Sequence, residues 1–232
     1  MVGSQALWAG FSSFFSIWQV CILQISPFFM AYMVGIFFVS QHQVADLRIG
    51  QRVALPFVAY VAGFTVLYSL LIASGFGIGR SLRYNISDLR LISGVVILFV
   101  GLYILLVDRV ALLSKMHKLT LLSVLSLLIG ATFAIIYSPC ITPTLSEIMG
   151  MAARPQTASE GWALALMYGV GLCLSFGLVG ISLILLLRKV DFVQGHGRSI
   201  KDICAAIVLV PGLLNITGLM TNYKAFFLGL LV

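Results

Sequence analysis

Charge is what this sequence has least of. Only 9% of its 232 residues are Asp, Glu, Lys or Arg, against 61% hydrophobic, where a soluble domain carries roughly 25% charged residues. A surface so poor in charge excludes water as the solvent of the folded chain and leaves lipid. No hydrophilic stretch is long enough for a second, soluble domain. Acidic residues are scarcest, seven against fourteen basic ones, and the basic residues sit in short loops between apolar runs. That placement reads as membrane topology and not as nucleic-acid binding. No basic region precedes the first apolar run, so that run is expected to be a retained helix and not a signal peptide. There are four cysteines, Cys21, Cys140, Cys173 and Cys204, all inside apolar segments. They form no loop framework for extracellular disulfides, and no CxxC or Cys/His cluster suggests a metal site. Neither a metal nor a cofactor is expected.

What is present is apolar length. A helix needs about 20 apolar residues to cross the hydrocarbon core. Six segments qualify, over residues 10–40, 54–79, 89–107, 119–153, 162–187 and 203–232. The sequence therefore predicts an all-α integral membrane protein of six transmembrane helices, a single transmembrane domain over 1–232. Pro211 marks a point where the last segment is open to a break or an early end. The loops after the first, third and fifth segments hold nine Lys or Arg, among them Arg109, Arg198 and Lys201, and the opposite side holds five. The excess places the first set in the cytoplasm, and both termini outside it.

The first and fourth segments are too long for one straight crossing, and both contain Ser-Pro near the middle. The first reads Ile25-Ser26-Pro27-Phe28-Phe29. The fourth reads Tyr137-Ser138-Pro139-Cys140-Ile141-Thr142-Pro143. The second and fifth also echo each other, Tyr60-Val61-Ala62-Gly63-Phe64 against Tyr168-Gly169-Val170-Gly171-Leu172. Three helices thus repeat as three more, 1–107 and 119–232, and an odd number per half inverts the second copy. Proline lacks an N–H and clashes with the preceding turn, so breaks are expected at Pro27 and Pro139. Matched breaks in inverted halves point to a central site. A simple packing kink is the competing reading at each proline.

Cys140 stands between Pro139 and Pro143. The prolines open the helix and are placed to start a new one just after the thiol. A helix N-terminus lowers a nearby thiol's pKa, and the thiolate is the species that attacks a disulfide. Ser138, Thr142 and Thr144 add local polarity. Cys140 is therefore the candidate reactive thiol, against the alternative of a small packing residue. Cys173 and Cys204 read as packing residues. Glu147, seven residues after Cys140, is a candidate proton acceptor or else a residue near a helix end. Gln19, Gln24 and Asn215 are candidates to bridge helices. Met30, Met33, Met149 and Met151 flank the two breaks, where soft-metal contact competes with ordinary gap filling.

The run Gly130-Ala131-Thr132-Phe133-Ala134-Ile135-Ile136-Tyr137-Ser138-Pro139-Cys140-Ile141-Thr142-Pro143-Thr144 strongly resembles the second cysteine motif of CcdA-type cytochrome c biogenesis proteins. These are compact relatives of the transmembrane domain of the DsbD thiol–disulfide transporter. The likeness covers nearly the whole chain. It implies a prokaryotic plasma (inner) membrane or an organelle membrane of prokaryotic descent. It implies one cysteine in each broken helix, cycling between dithiol and disulfide, fed by cytoplasmic thioredoxin and emptied by an extracytoplasmic thioredoxin-like protein. For this chain it implies Cys140 as a redox thiol, with Pro139 and Pro143 shaping its site. Where the first motif has its cysteine, this sequence has Phe28, followed by Phe29-Met30-Ala31-Tyr32. Cys21 lies on the same face of a regular helix as Phe28, about 10 Å away along the axis. A disulfide needs Cα atoms within about 7 Å, so Cys21 pairs with Cys140 only if the helices are offset.

Three readings follow. The first is a thiol–disulfide relay of CcdA type, which makes the chain an interchange catalyst if Cys140 is redox-active. The second is a redox-silent accessory or scaffold subunit among other membrane subunits, suggested by Phe28. The third is a small-solute or soft-metal transporter, with Cys140, Met30 and Glu147 lining the path.

Overall fold

Lipid offers backbone groups no hydrogen-bond partner, so an apolar chain crosses it as helix. A computed structural model describes residues 3–15, 20–43, 49–72, 81–82, 84–107, 109, 119–137, 143–154, 156–189 and 196–231. Among these the elements are all helices: α1 (Gly3–Phe15), α2 (Val20–Gln43), α3 (Ile49–Ile72), α4 (Ile86–Leu106), α5 (Leu119–Tyr137), α6 (Pro143–Ala153), α7 (Ala158–Arg188), α8 (Gly197–Ile216) and α9 (Met220–Leu231). Four stretches are long and apolar enough to cross a membrane: Ala54–Ile72, Ile86–Leu106, Ala158–Leu187 and Gly197–Ile216. Ser26–Val39 and Thr120–Ile136 are shorter apolar helices. Large apolar side chains face outward along them, Phe99 on α4 and Leu178 and Leu186 on α7 among others. A soluble protein would bury such a surface, and lipid covers it here. The chain is an all-α membrane protein.

The fourth expected span is described over two ranges, α5 and α6. α5 stops at Tyr137 and α6 opens on Pro143. Proline suits a first helical position, where the missing N–H has no intrahelical acceptor anyway. Ser138, Pro139, Cys140 and Thr142 lie outside the described residues.

The first span departs from expectation. α2 runs unbroken through Pro27, and the described helices end at Phe15 and resume at Val20. A proline within a helix removes one hydrogen bond, and its fixed φ remains helical. Pro27 is exposed, so its ring does not disturb the core. Pro211 is likewise inside a helix, and the last span turns instead at Gly218, whose φ of 73° suits a residue without a Cβ.

Two helix crossings set the centre of the bundle. α3 packs on α5, and α1 packs on α7. A Cβ on Gly63 would strike the Leu127 carbonyl oxygen, and one on Gly130 the Tyr60 carbonyl. In the other crossing a Cβ on Gly10 would strike the Tyr168 carbonyl, and one on Gly171 the Leu7 carbonyl. Leu-x-x-Gly thus meets Tyr-x-x-Gly twice, at backbone contact that only glycine permits. α1 and α7 run in the same direction, since Gly3 lies by Met167 and the Phe14 ring lies 4.8 Å from that of Phe176. α3 runs against α7, with Thr65 by Gly169 and Phe57 by Gly177. α8 runs against both α4, with Gly94 and Gly212 apposed, and α2, with Gly35 by Cys204 and Phe38 by Gly197.

Candidate redox site

An aromatic core fills the space between α2, α3 and α7. Phe29 is fully buried, its ring 5.0 Å from Tyr60 and 4.9 Å from Phe176. Tyr60, Phe64, Tyr68 and Tyr168 continue from it as near-parallel rings, 5.3–6.4 Å between successive centroids. Such spacing is that of offset stacks. Phe28, at the position the resemblance assigns to a thiol, is 6% exposed. Its ring lies 6.1 Å from Tyr223 of α9. The first motif is therefore packed with rings.

Polar groups converge on one part of this core. Tyr32 comes from α2, Tyr60 and Thr65 from α3, Ser126 from α5 and Cys173 from α7. All five are buried. The Thr65 hydroxyl lies beside the Cys173 thiol, and the Tyr60 side chain neighbours both Cys173 and Tyr32. Tyr32 approaches Ser126, whose Oγ donates to the Leu122 carbonyl at 2.8 Å. Among the described residues, Tyr32 Oη and Thr65 Oγ1 meet no partner of full hydrogen-bond geometry, although Ser126 and Cys173 stand beside them. Buried hydroxyls are normally paired, and these meet one another where four helices converge. Sequence reading assigned Cys173 to packing and passed over Thr65 and Ser126. The available signal was their polarity within apolar runs, but it does not say that they meet.

The other predicted residues are dispersed. Cys21 falls in α2 with its side chain outside the described residues, and the side chain of Pro143 is also outside them. Glu147 is exposed on α6, whose buried face is Leu145, Ile148 and Ala152. Met33 is buried, and Met30, Met149 and Met151 pack against the core, as gap-filling methionines do. Among the described residues no group of three or more His, Cys, Asp or Glu is placed to hold a metal ion. Cys204 sits where α2, α4 and α8 meet, beside Gly35 and Ile104. Asn215 bridges helices, Nδ2 donating to Ser93 Oγ of α4 at 2.9 Å. Ser13 Oγ and Tyr168 Oη are 2.9 Å apart, and Ser175 Oγ donates to the Phe11 carbonyl at 2.7 Å, both joining α1 to α7.

Lys201 corrects the sequence reading. It lies not in a loop but in the second turn of α8, and is 1% exposed. Its Nζ is 3.7 Å from Asp202 Oδ1, while Asp202 Oδ2 accepts from Arg109 Nη2 at 2.8 Å. Two cations thus share one acid at the end of α4 and the start of α8.

The chain is similar over nearly its full length to two curated proteins. Cytochrome c-type biogenesis protein CcdA of Halalkalibacterium halodurans is 26% identical over 227 residues, 95% of this chain and 93% of that protein. A putative cytochrome c-type biogenesis protein of Haemophilus influenzae is 25% identical over 218 residues, 90% of this chain and 92% of its own. No family profile matches, and no solved structure matches. The resemblance read from the Pro139-Cys140-x-x-Pro143 motif is thus accompanied by similarity along nearly the whole chain to proteins named for cytochrome c biogenesis.

Proposed function

We propose that this relative of the CcdA-type cytochrome c biogenesis proteins is a thiol–disulfide relay supporting cytochrome c maturation, with Cys140 as a redox thiol. The observation that carries the reading is whole-chain similarity to proteins of that name joined to a proline-flanked cysteine. The helix described from Pro143, three residues after the thiol, supports the reading, since reactive cysteines are found at helix N-termini. Ser138, Thr142, Pro139 and Pro143 shape the site in this proposal.

The proposed architecture is six spans as two inverted repeats, 1–107 and 119–232, in a single transmembrane domain. The paired crossings of Leu-x-x-Gly on Tyr-x-x-Gly support it, because the first helix of each half rests on the middle helix of the other. The basic loops support cytoplasmic placement for residues such as Arg109 and Arg198, with both termini across the membrane. In this reading the membrane is a prokaryotic plasma membrane or one of prokaryotic descent. Cytoplasmic thioredoxin is the electron donor, and an extracytoplasmic thioredoxin-like protein the acceptor.

One observation favours a second reading. Phe28 is packed on Tyr223, which suits a redox-silent subunit holding other membrane proteins. A host that makes c-type cytochromes but lacks its own relay decides between the two. Expressing the chain should restore covalent haem, and Cys140→Ser should lower the yield by about tenfold or more, as loss of an attacking thiol requires. Full yield with Cys140→Ser, and no mixed disulfide trapped at residue 140, would remove the relay reading and leave the scaffold.

A further inference from the structure

The ion cluster at the end of α4 and the start of α8 is not used by the relay proposed above. We infer that it is the headgroup end of a binding site for an anionic phospholipid, whose acyl chain lies along the outer seam between these two helices.

The cations are the first support. Arg109 follows the apolar span Ile86–Leu106, and its side chain is 62% exposed. Its Nη2 donates to Asp202 Oδ2 at 2.8 Å. A guanidinium carries further N–H donors in the same plane, in the fork that a phosphate accepts. Lys201 approaches the same acid, Nζ lying 3.7 Å from Oδ1. Among the described residues one carboxylate thus stands between two cations. Arg198, exposed and one turn before Asp202 on α8, adds a third positive charge to this side of the helix. The excess holds for the whole edge. The stretches 107–118 and 188–202, which leave α4 and lead from α7 into α8, contain seven Lys or Arg and three Asp.

The seam is the second support. α4 and α8 run antiparallel, with Leu209 over Gly101 and Leu98 over Gly212. Both leucines are half-buried. Leu102 and Leu213, one turn further along their helices, are 47% and 54% exposed. Leu102 lies seven residues before Arg109, and Leu209 seven residues after Asp202. That spacing keeps to one face and covers about 10 Å of helix axis. The cations therefore stand at the head of a strip of leucine open to the membrane.

Only an anionic lipid satisfies both parts. A neutral lipid covers the leucines and leaves the surplus charge unanswered. An acidic water-soluble protein answers the charge and does not reach leucines that lie among acyl chains. Basic sites between membrane helices hold anionic headgroups in this way. The bound lipid bridges α4 to α8, and Asp202 competes with its phosphate for Arg109.

The test uses the full chain in a neutral detergent, titrated with dioleoyl phosphatidylglycerol or dioleoyl phosphatidylcholine and read by native mass spectrometry. Phosphatidylglycerol should bind about tenfold more tightly or better, the scale of hydrogen bonds to a charged group. Arg109→Ala should abolish that preference. Asp202→Asn should enlarge it several-fold, because the competing carboxylate is gone. An ion pair that serves only the fold would not move the two variants in opposite directions. Lys189→Ala removes an exposed charge at the end of α7, outside the seam, and should keep the preference. If Asp202→Asn does not fold, Arg109→Ala against Lys189→Ala still decides. Equal affinity for the two lipids, or equal losses with Arg109→Ala and Lys189→Ala, overturns the inference and leaves only diffuse surface charge. Glycerol 1-phosphate and polyglutamate should not displace the lipid. Displacement by the first would make this a site for a free anion, and by the second a site for an acidic protein, and either overturns the lipid.

Discussion

Two buried cysteines, Cys173 and Cys204, look alike in sequence and differ in company. Cys173 sits where α2, α3, α5 and α7 bring Tyr32, Tyr60, Thr65 and Ser126 together. Cys204 sits in the α2–α4–α8 junction with Gly35 and Ile104, and the polar groups of that junction lie toward its ends, Asn215 on Ser93 and Lys201 beside Asp202. The first region is closed by glycines pressed on carbonyls and holds the Tyr32, Thr65 and Ser126 hydroxyls at its heart. The second pairs Asn215 with Ser93 and Asp202 with Arg109, and keeps its thiol beside Gly35 and Ile104. The difference teaches that burial alone does not classify a cysteine; the partners of its neighbours do.

The largest expected effect breaks the first region outright. Gly130→Val and Gly171→Val would drive a side chain into the carbonyl of Tyr60 or Leu7, costing about 3 kcal/mol by overpacking. Gly150→Val, with nothing within 4 Å, should stay within about 0.5 kcal/mol of the parent. Thermal unfolding in detergent reads both, and equal losses would refute the crossings described for α1, α3, α5 and α7.

A smaller effect belongs to the second region. Asn215→Ala removes the donor to Ser93 and should cost about 1 kcal/mol, the scale of hydrogen bonds between membrane helices. Ser93→Ala should cost a similar amount, and the double variant should show that the two losses are not additive. Additive losses would mean that the pair does not join α4 to α8.

Smaller still is the exposed arm of the ion cluster. The Arg109 side chain is 62% exposed, so Arg109→Ala should cost no more than about 1 kcal/mol. The loss should shrink as salt is raised, which titration of stability against NaCl would reveal. Cys204→Ala sharpens the comparison by its near silence, about 0.5 kcal/mol, while Cys173→Ala also takes the thiol from beside Thr65 and should cost about 1 kcal/mol. A loss with Cys204→Ala equal to that with Cys173→Ala would erase the distinction between the two regions.

Much of the fold was legible in the residues. Charge scarcity and apolar length led to a helical membrane protein, and Pro143 marked the opening of a new helix. Pro27 misled because a proline deletes only one hydrogen bond, and whether the helix continues depends on what surrounds the gap. Lys201 misled because a lysine near a span's end reads as a loop residue. The structure places it in the second turn of α8, 1% exposed, with Asp202 beside it. Cys140 is singled out by its flanking prolines and its likeness to a known motif, and it lies outside the described residues. The neighbours of Cys173 were not legible, since no periodicity tells which helix faces α7.

By itself, then, the sequence determined the solvent, the helical class, the apolar segments and the kinship, because these follow from composition and from motifs local in the chain. The tertiary structure alone decided which helices cross, that Phe28 is packed on Tyr223, and that Thr65 and Tyr32 gather with Cys173 rather than Cys204. Those depend on the faces that helices far apart in sequence turn toward one another. In a bundle apolar nearly all round, the hydrophobic pattern that would reveal those faces is weak, and close packing at small residues sets them instead.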